Sequence, residues 1–379
     1  MNTAWLHVPF EEAVSSRGSG TSGLPKKEWQ DVGRYAVIGQ GAEEIEGWSD
    51  RDDLALHVSQ PVVLYGGHTR RAKYVKETFV PGPNVKILKP RKELDARFLF
   101  YFLIGLDVEN KGYADHFPLV RKSYIPLPSL EEQKRIVAVL DQAFAALDRA
   151  RAHAEANLAD AEELLENGVN EIFTALAGTS TVMSLADAVH PDCKLSYGIV
   201  QPGDEVEGGL PVVRPVDLKK RILSTDGLKR ISPDRAEGYA RTRLVGGELL
   251  LCVRGSTGEM SVASAELADA NVTRGIVPIR FPDESVLPEF AYFQLRSRYA
   301  QDQIAAGTYG AALMQINIKD LRKLQFIVPS IEVQHEIISR AELLYERAGS
   351  LRDLYATKLN NIADLRQSLL QKAFSGQLI

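Results

Sequence analysis

From Ile337 onward, apolar residues recur at alternating spacings of four and three. They run Ile337, Ala341, Leu344, Ala348, Leu351 and Tyr355, then Ile362, Leu365 and Leu369 after one lapse at Lys358. The same alternation runs earlier through Ile136, Leu140, Ala143, Leu147, Ala150 and Ala154, and continues by Leu158, Ala161, Leu164 and Leu165 to Ile172. Such spacing draws one stripe along a helix, and over several heptads it predicts a coiled-coil seam. No proline interrupts residues 130–176 or 331–374. Each pattern therefore reads as one long helix of about 45 residues, a rod of roughly 65–70 Å at 1.5 Å per residue.

Both rods have the same entrance. "IPLPSLEEQKRI" (Ile125–Ile136) and "FIVPSIEVQHEI" (Phe326–Ile337) share Pro-Ser, an aliphatic residue, Glu, one residue and Gln. A shift of 201 positions lays Pro128 on Pro329, Ser129 on Ser330, Glu131 on Glu332, Gln133 on Gln334 and Phe173 on Phe374. The proline turns the residue before it away from helix, and the serine can cap the first free amides. Glu131, Glu132 and Glu332 place negative charge where the helix dipole favours it. A repeat this long exceeds solenoid periods, so each copy reads as a whole domain followed by a helix.

A rod alone would leave its stripe in water. Antiparallel pairing of the two copies solves this economically, since the chain leaves one domain, traverses the rod, builds the second domain and returns. Ala143, Ala150 and Ala154 predict close approach. Two unrelated surface helices, or pairing across a dimer, remain the alternatives.

The globular stretches repeat more faintly. "PVVLYGGHTRRAKYV" (Pro61–Val75) and "ELLLCVRGSTGEMSV" (Glu248–Val262) both read strand, glycine turn, strand. "FLFYFL" (Phe98–Leu103) and "FAYFQL" (Phe290–Leu295) read as short helices, and "WLHVPFEEAV" (Trp5–Val14) sits where "VMSLADAV" (Val182–Val189) does. Regular βαβ alternation is missing, which excludes a doubly wound sheet. The expected class is α+β, two mixed α/β domains joined by two long antiparallel coiled-coil helices. Its boundaries are 1–128, 129–177, 178–328 and 329–379.

Composition changes this picture little. Hydrophobic content of 45% and charged content of 25% are those of a soluble globular protein. The longest strongly apolar run, Phe98–Gly105, is too short to span a bilayer, and the first residues lack a signal-peptide pattern. Cys193 and Cys252 fit no metal or redox spacing and read as buried thiols, which points to the cytoplasm. The net charge of −5 resolves by region: residues 129–177 carry 4 Lys and Arg against 10 Asp and Glu, while residues 178–328 carry 18 against 18. The acid excess thus lies in the first rod, leaving both globular regions near neutral.

Motifs for catalysis are missing. "GSTGEM" and "GGHTRR" lack the ending of a phosphate loop, the glycines of "VIGQGAEEIEG" miss the dinucleotide spacing, and no nucleophile elbow occurs. No histidine pairs at metal-ligand spacing, and the Asn-Pro-Pro-aromatic signature of adenine methylation does not occur. Basic turns remain. His68, Thr69, Arg70, Arg71 and Lys73 follow one glycine turn, with Lys26 and Lys27 on an earlier loop. In the second copy stand Arg214, Lys219, Lys220, Arg221, Arg254, Ser256 and Thr257, with Lys229, Arg230, Arg241 and Arg243 between. Lys and Arg hold phosphates, while Arg, Ser and Thr can reach base edges. Any one of these charges could be a solvated surface residue; the case rests on recurrence at equivalent turns.

The doubled entrance, the long helix after each, and "GTYGAALMQINIKDLRKLQFIVPSIEVQ" (Gly307–Gln334) together resemble the specificity subunits of Type I restriction–modification enzymes. In the first copy, "GYADHFPLVRKSYIPLPSLEEQ" (Gly112–Gln133) keeps the entrance but not the "INIKDL" wording. The resemblance implies two target-recognition domains, each reading half of a bipartite double-stranded DNA target. It makes the helices a ruler between the halves and the dock for two methyltransferase subunits, with Pro128, Glu131, Gln133, Pro329, Glu332 and Gln334 at the docking entrances. Restriction and translocase subunits would join them. It implies a non-catalytic chain that binds no cofactor or metal, with S-adenosylmethionine, ATP and Mg in the partner subunits, and no membrane. A coiled-coil scaffold without DNA binding is the rival reading.

Overall fold

The computed structural model describes residues 5–18, 23–282, 284–310 and 314–378. It divides into two compact units, residues 1–155 with 356–379, and residues 156–355.

The first unit begins with β1 (Leu6–Pro9), α1 (Phe10–Ala13) and β2 (Val14–Gly18). There follow β3 (Tyr35–Ile38), β4 (Gly47–Ser49), β5 (Val62–Gly66), β6 (Arg71–Val75), β7 (Phe79–Pro81) and β8 (Val85–Pro90). Next come α2 (Ala96–Gly105), α3 (Phe117–Val120) and β9 (Tyr124–Leu127), and then α4 (Leu130–Ala177). The main sheet has the order β2-β8-β5-β6, a second has β4-β3-β7, and β1 pairs with β9 alone. β5 is buried throughout, and its alternation feeds two cores. Val63 and Tyr65 pack with Leu88 and α2, while Val62 and Leu64 pack with Ile38, Phe79 and Ile87.

The second unit follows the same plan. It has β10 (Thr181–Ser184), α5 (Leu185–Ala188), β11 (Leu210–Val213), β12 (Ile222–Leu223) and β13 (Lys229–Ile231). After these come β14 (Leu249–Cys252), β15 (Met260–Ala263), β16 (Asn271–Val272) and β17 (Ile276–Ile279). Then follow α6 (Pro288–Arg296), α7 (Arg298–Ala306), the hairpin β18 (Thr308–Tyr309) and β19 (Gln315–Ile316), α8 (Ile318–Leu321), β20 (Gln325–Val328) and α9 (Ile331–Phe374). The sheets run β12-β15-β14-β17 and β13-β11-β16, with β10 paired to β20. Like β5, the fully buried β14 serves two cores, Leu249 and Leu251 on one side and Leu250 and Cys252 on the other.

The two long helices are antiparallel, as the seam predicts. In the first unit, Arg366 Nη1 bonds Asp148 Oδ1 at 2.6 Å and its guanidinium lies 4.2 Å from the Phe144 ring centroid. In the second, Asn157 Nδ2 donates to Tyr355 Oη at 3.1 Å, and a Cβ on Gly168 would lie 3.1 Å from Leu344 Cδ1. Partner numbers on α9 fall as those on α4 rise.

The seam differs from expectation in its middle. Ile136, Leu140, Phe144, Leu370 and Ala373 are buried in the first unit's core, and Val169, Ile172, Phe173, Ile337 and Ala341 in the second's. Ala150 is exposed, and Leu164 and Leu365 are 62% and 49% exposed. Ala154 and Ala161 stay buried between these positions, so the stripe persists through the middle of α4, and single positions turn outward because a seven-residue repeat drifts around a straight helix. Phe374 meets Phe98 and Phe102 at 5.0 and 5.6 Å, and its repeat partner Phe173 meets Phe290 at 5.6 Å. The helix ends are thus parts of the globular cores.

Candidate nucleic-acid interface

In each unit a glycine turn joins the buried strand to the next strand of its hairpin, and a second segment braces it. In the first unit the turn is Gly66–Arg70. Arg70 sits in the left-handed region (φ 58°), its amide bonds Gly66 O at 2.7 Å, and its Nη1 donates to Val108 O at 3.0 Å. His116 is buried and holds Gly67 O twice, through its amide at 2.8 Å and Nδ1 at 2.9 Å. Lys111 N donates to its Nε2 at 3.0 Å. Both ring nitrogens are engaged, which fixes the proton on Nδ1. A Cβ on Gly67 would fall 2.0 Å from Asp115 Oδ1, so only glycine admits the brace. His68 Nδ1 lies 3.1 Å from Tyr113 O, and the two rings stack at 5.1 Å.

The second unit braces its turn with the β18–β19 hairpin. Gly255 N and Thr257 Oγ1 both donate to Met314 O, at 2.9 and 3.2 Å, and Ile316 N bonds Val253 O at 3.0 Å. Gly255 and Gly258 have φ of 91° and 98°, where a side chain is strained. Of the "GTYGAALMQINIKDL" wording, residues 311–313 lie outside the described residues. Residues 107–116, the first unit's brace, share no wording with that hairpin. The signal that could have found them is position, since both segments precede a short helix, α3 or α8, at the same 201-residue offset.

The candidate cations divide into two groups. Lys26, Lys27, Arg71, Lys219, Lys220 and Arg241 are exposed, and among the described residues none has an ion-pair partner. Arg254 and Ser256 lie on the second turn, half-buried and exposed. The others are committed to their own chain. Lys73 Nζ bonds Glu46 Oε1 at 2.6 Å with both side chains largely buried, so it is a structural ion pair and not a phosphate contact. Arg214 donates through its guanidinium to Asp217 (Nη2–Oδ1 2.9 Å), whose carboxylate also accepts from Arg214 N at 2.8 Å. Arg221 reaches Glu342 of α9 at 2.9 Å and lies over Phe293. Lys229 and Arg230 donate to Gly203 O and Gly209 O at 2.5 and 3.1 Å, and Arg243 pairs with Asp269 at 2.8 Å. Partners 21 to 121 residues away decided these pairings, except that of Arg214, whose Asp217 is three residues on. Sequence reading also missed a cleft of about 630 Å³ beside the first turn, lined by Arg34, Trp48, Arg70, Arg71, Tyr74 and Lys76.

The entrance glutamines need the largest correction. Gln133 and Gln334 are fully buried. Gln133 Oε1 accepts from Asp95 N (2.8 Å), and its Nε2 donates to Glu93 O and Pro128 O at 2.8 and 2.9 Å. Gln334 repeats this, accepting from Leu287 N (2.8 Å) and donating to Ser285 O and Pro329 O at 2.7 and 3.0 Å. Each glutamine therefore latches a long helix to the start of α2 or α6 and offers nothing to a partner. Pro128 and Pro329 are buried too. Of the six candidate docking residues only Glu131 and Glu332 are exposed, beside serine caps at 3.3 Å (Ser129) and 3.5 Å (Ser330). Next to the first latch, Tyr101 Oη donates to Asp141, whose carboxylate also holds Arg97 at 2.9 Å. Burial, and then that hydrogen bond, pushes the Tyr101 phenol up to about 12.

This is an internally repeated α+β chain with two heads of one plan, each fused to the start of one long helix and the end of another. The family model for the Type I restriction modification DNA specificity domain matches twice, over residues 20–155 and 202–348, and the chain belongs to that family. It is 27% identical over 283 residues to the Type I restriction enzyme EcoBI specificity subunit of Escherichia coli, covering 68% of this chain and 59% of that one. Against the EcoKI specificity subunit of Escherichia coli strain K12 the figures are 23% over 330 residues, 77% and 68%. The chain thus spans about three fifths of the EcoBI subunit's length. Among solved structures it is similar to one described as the structural basis of complex assembly and conformational transition of the type I R-M system. That likeness has a TM-score of 0.66 at 19% identity, over 97% of this chain and 98% of that one. It is also similar to the HsdS subunit of Thermoanaerobacter tengcongensis, with a TM-score of 0.57 at 17% identity, over 99% and 98%. These likenesses establish the fold. Among the described residues no helix is long and apolar enough to cross a membrane, and no cluster could hold a metal ion.

Proposed function

We propose that this chain reads the DNA address for a Type I restriction–modification complex. Each globular region reads one half of a bipartite target in double-stranded DNA. The long helices fix the gap between the halves and dock two methyltransferase subunits, with restriction and translocase subunits joining for cleavage. S-adenosylmethionine, ATP and Mg act in those partners, and this chain is non-catalytic. In this reading residues 1–128 and 178–328 are the target-recognition domains, and residues 129–177 and 329–379 are the spacer helices.

One observation carries the reading: the braced glycine turn occurs twice, at the same place in two heads that share a strand kernel, with exposed cations in each unit. Arg71, Lys219 and Lys220 then meet phosphates, and Thr69, Arg254 and Ser256 stand where base edges could be reached. The test is a gel shift of this chain with its partner methyltransferase at two salt concentrations. Binding whose affinity falls steeply with salt supports the reading, because phosphate contacts release counterions. No binding at low salt with that partner present would instead favour a coiled-coil scaffold.

A further inference from the structure

Tyr113 is 89% exposed, the most exposed of the large apolar and aromatic side chains among the described residues. A single exposed tyrosine is ordinary. This one is held in place. Its ring stacks on His68 at 5.1 Å with 14° between planes, and its carbonyl is bonded to His68 Nδ1. Gly112, in the left-handed region at φ 68°, turns the chain just before it, with its amide on Asn110 Oδ1 at 3.1 Å. The loop's two ends are tied to the glycine turn by Arg70 and His116. Several backbone and side-chain bonds thus fix an aromatic ring that buries almost nothing of its own. Their product is a preorganised surface group, which lowers the ordering cost of binding.

We infer that Tyr113, seated on His68, contacts a base of the half-site read by the first unit, with exposed Arg71, three residues along the chain from His68, for the phosphates. A planar ring held at the surface suits a contact with a base edge in a groove, or a wedge against an opened base step. Arg70 is then a positioning residue, since its guanidinium is committed to Val108 O. The second unit differs. Tyr309, on the corresponding hairpin, is 43% exposed, and its hydroxyl is engaged by Asn317 Oδ1 at 2.6 Å and Gln315 Nε2 at 3.0 Å. The contact belongs to one half-site only. This inference rests on the proposed DNA reading.

The test uses the full chain with its methyltransferase subunits, and duplexes carrying the methylated sequence or single base-pair changes in either half. Tyr113→Ala should weaken binding about 10- to 100-fold, the range of one lost base contact in a duplex. It should flatten discrimination in one half-site, keep discrimination in the other, and leave the salt slope unchanged because tyrosine carries no charge. Tyr113→Phe should retain most of the affinity. A Tyr113→Ala complex that discriminates like the parent in both halves overturns the inference while the DNA-reading function stands. Equal loss in both halves overturns it as well. A parent complex that binds no duplex refutes the reading beneath it.

Discussion

The two heads share a three-strand kernel and differ at its edges. β8-β5-β6 and β17-β14-β15 correspond strand for strand, and so do β4-β3-β7 and β13-β11-β16. The fourth strand of the main sheet is on opposite sides. In the first unit β2 pairs antiparallel with β8, and in the second β12 pairs parallel with β15. The braces differ too, an irregular loop holding His116 in one and a short hairpin in the other. Packing constrains the kernel, because β5 and β14 must satisfy a core on each side. The edges and braces face solvent and can vary, and they are also where a half-site could be distinguished.

The largest effect should come from exchanging a whole head. Replacing residues 180–325 by the same region of a relative should change one half-site entirely and leave the other unchanged, read by methylome sequencing; a change in both breaks the division between heads. Next are the latches. Gln133→Leu and Gln334→Leu each leave buried donors and acceptors unmatched and should cost about 3–5 kcal/mol. Denaturant unfolding checks this, and unequal losses would show that the two latches are not equivalent.

Smaller effects distinguish the braces. Gly67→Ala drives a methyl into Asp115, which also pairs with Lys86 at 3.4 Å and accepts from Phe117 N at 3.0 Å. A loss of about 2–3 kcal/mol is expected. Gly258→Ala, strained at φ 98° but facing only the movable Gln301 side chain, should cost about 1–2 kcal/mol. The smallest change concerns Tyr65, whose buried hydroxyl has no partner and whose phenol is pushed up to about 12 by burial. Tyr65→Phe should stabilise by about 1 kcal/mol. Because Tyr65 and Tyr101 are held protonated in the fold, their contribution is complete below pH 10 and is lost as pH rises through about 12. Melting temperatures across that window should fall less for Tyr65→Phe than for the parent.

Much of this architecture was legible in the sequence for physical reasons. The Pro-Ser entrances, the four-and-three stripe and the strand–glycine–strand runs are local signals, and each produced the expected element. What stayed hidden depends on distant partners. A helical glutamine reads as a surface residue until residues 93–95 or 285–287 fold over it. Lys73 and Arg221 look like phosphate ligands until Glu46 and Glu342 arrive. Residues 107–116 carry no motif at all, and only the fold shows them bracing Gly67.

The central claim is that paired helices hold two separately reading heads a set distance apart. Its most direct test is to add four residues, about one helical turn, to both α4 and α9 and to sequence the methylome. Both half-sites should keep their sequences while the gap between them lengthens. Altered half-sites with an unchanged gap would contradict the account.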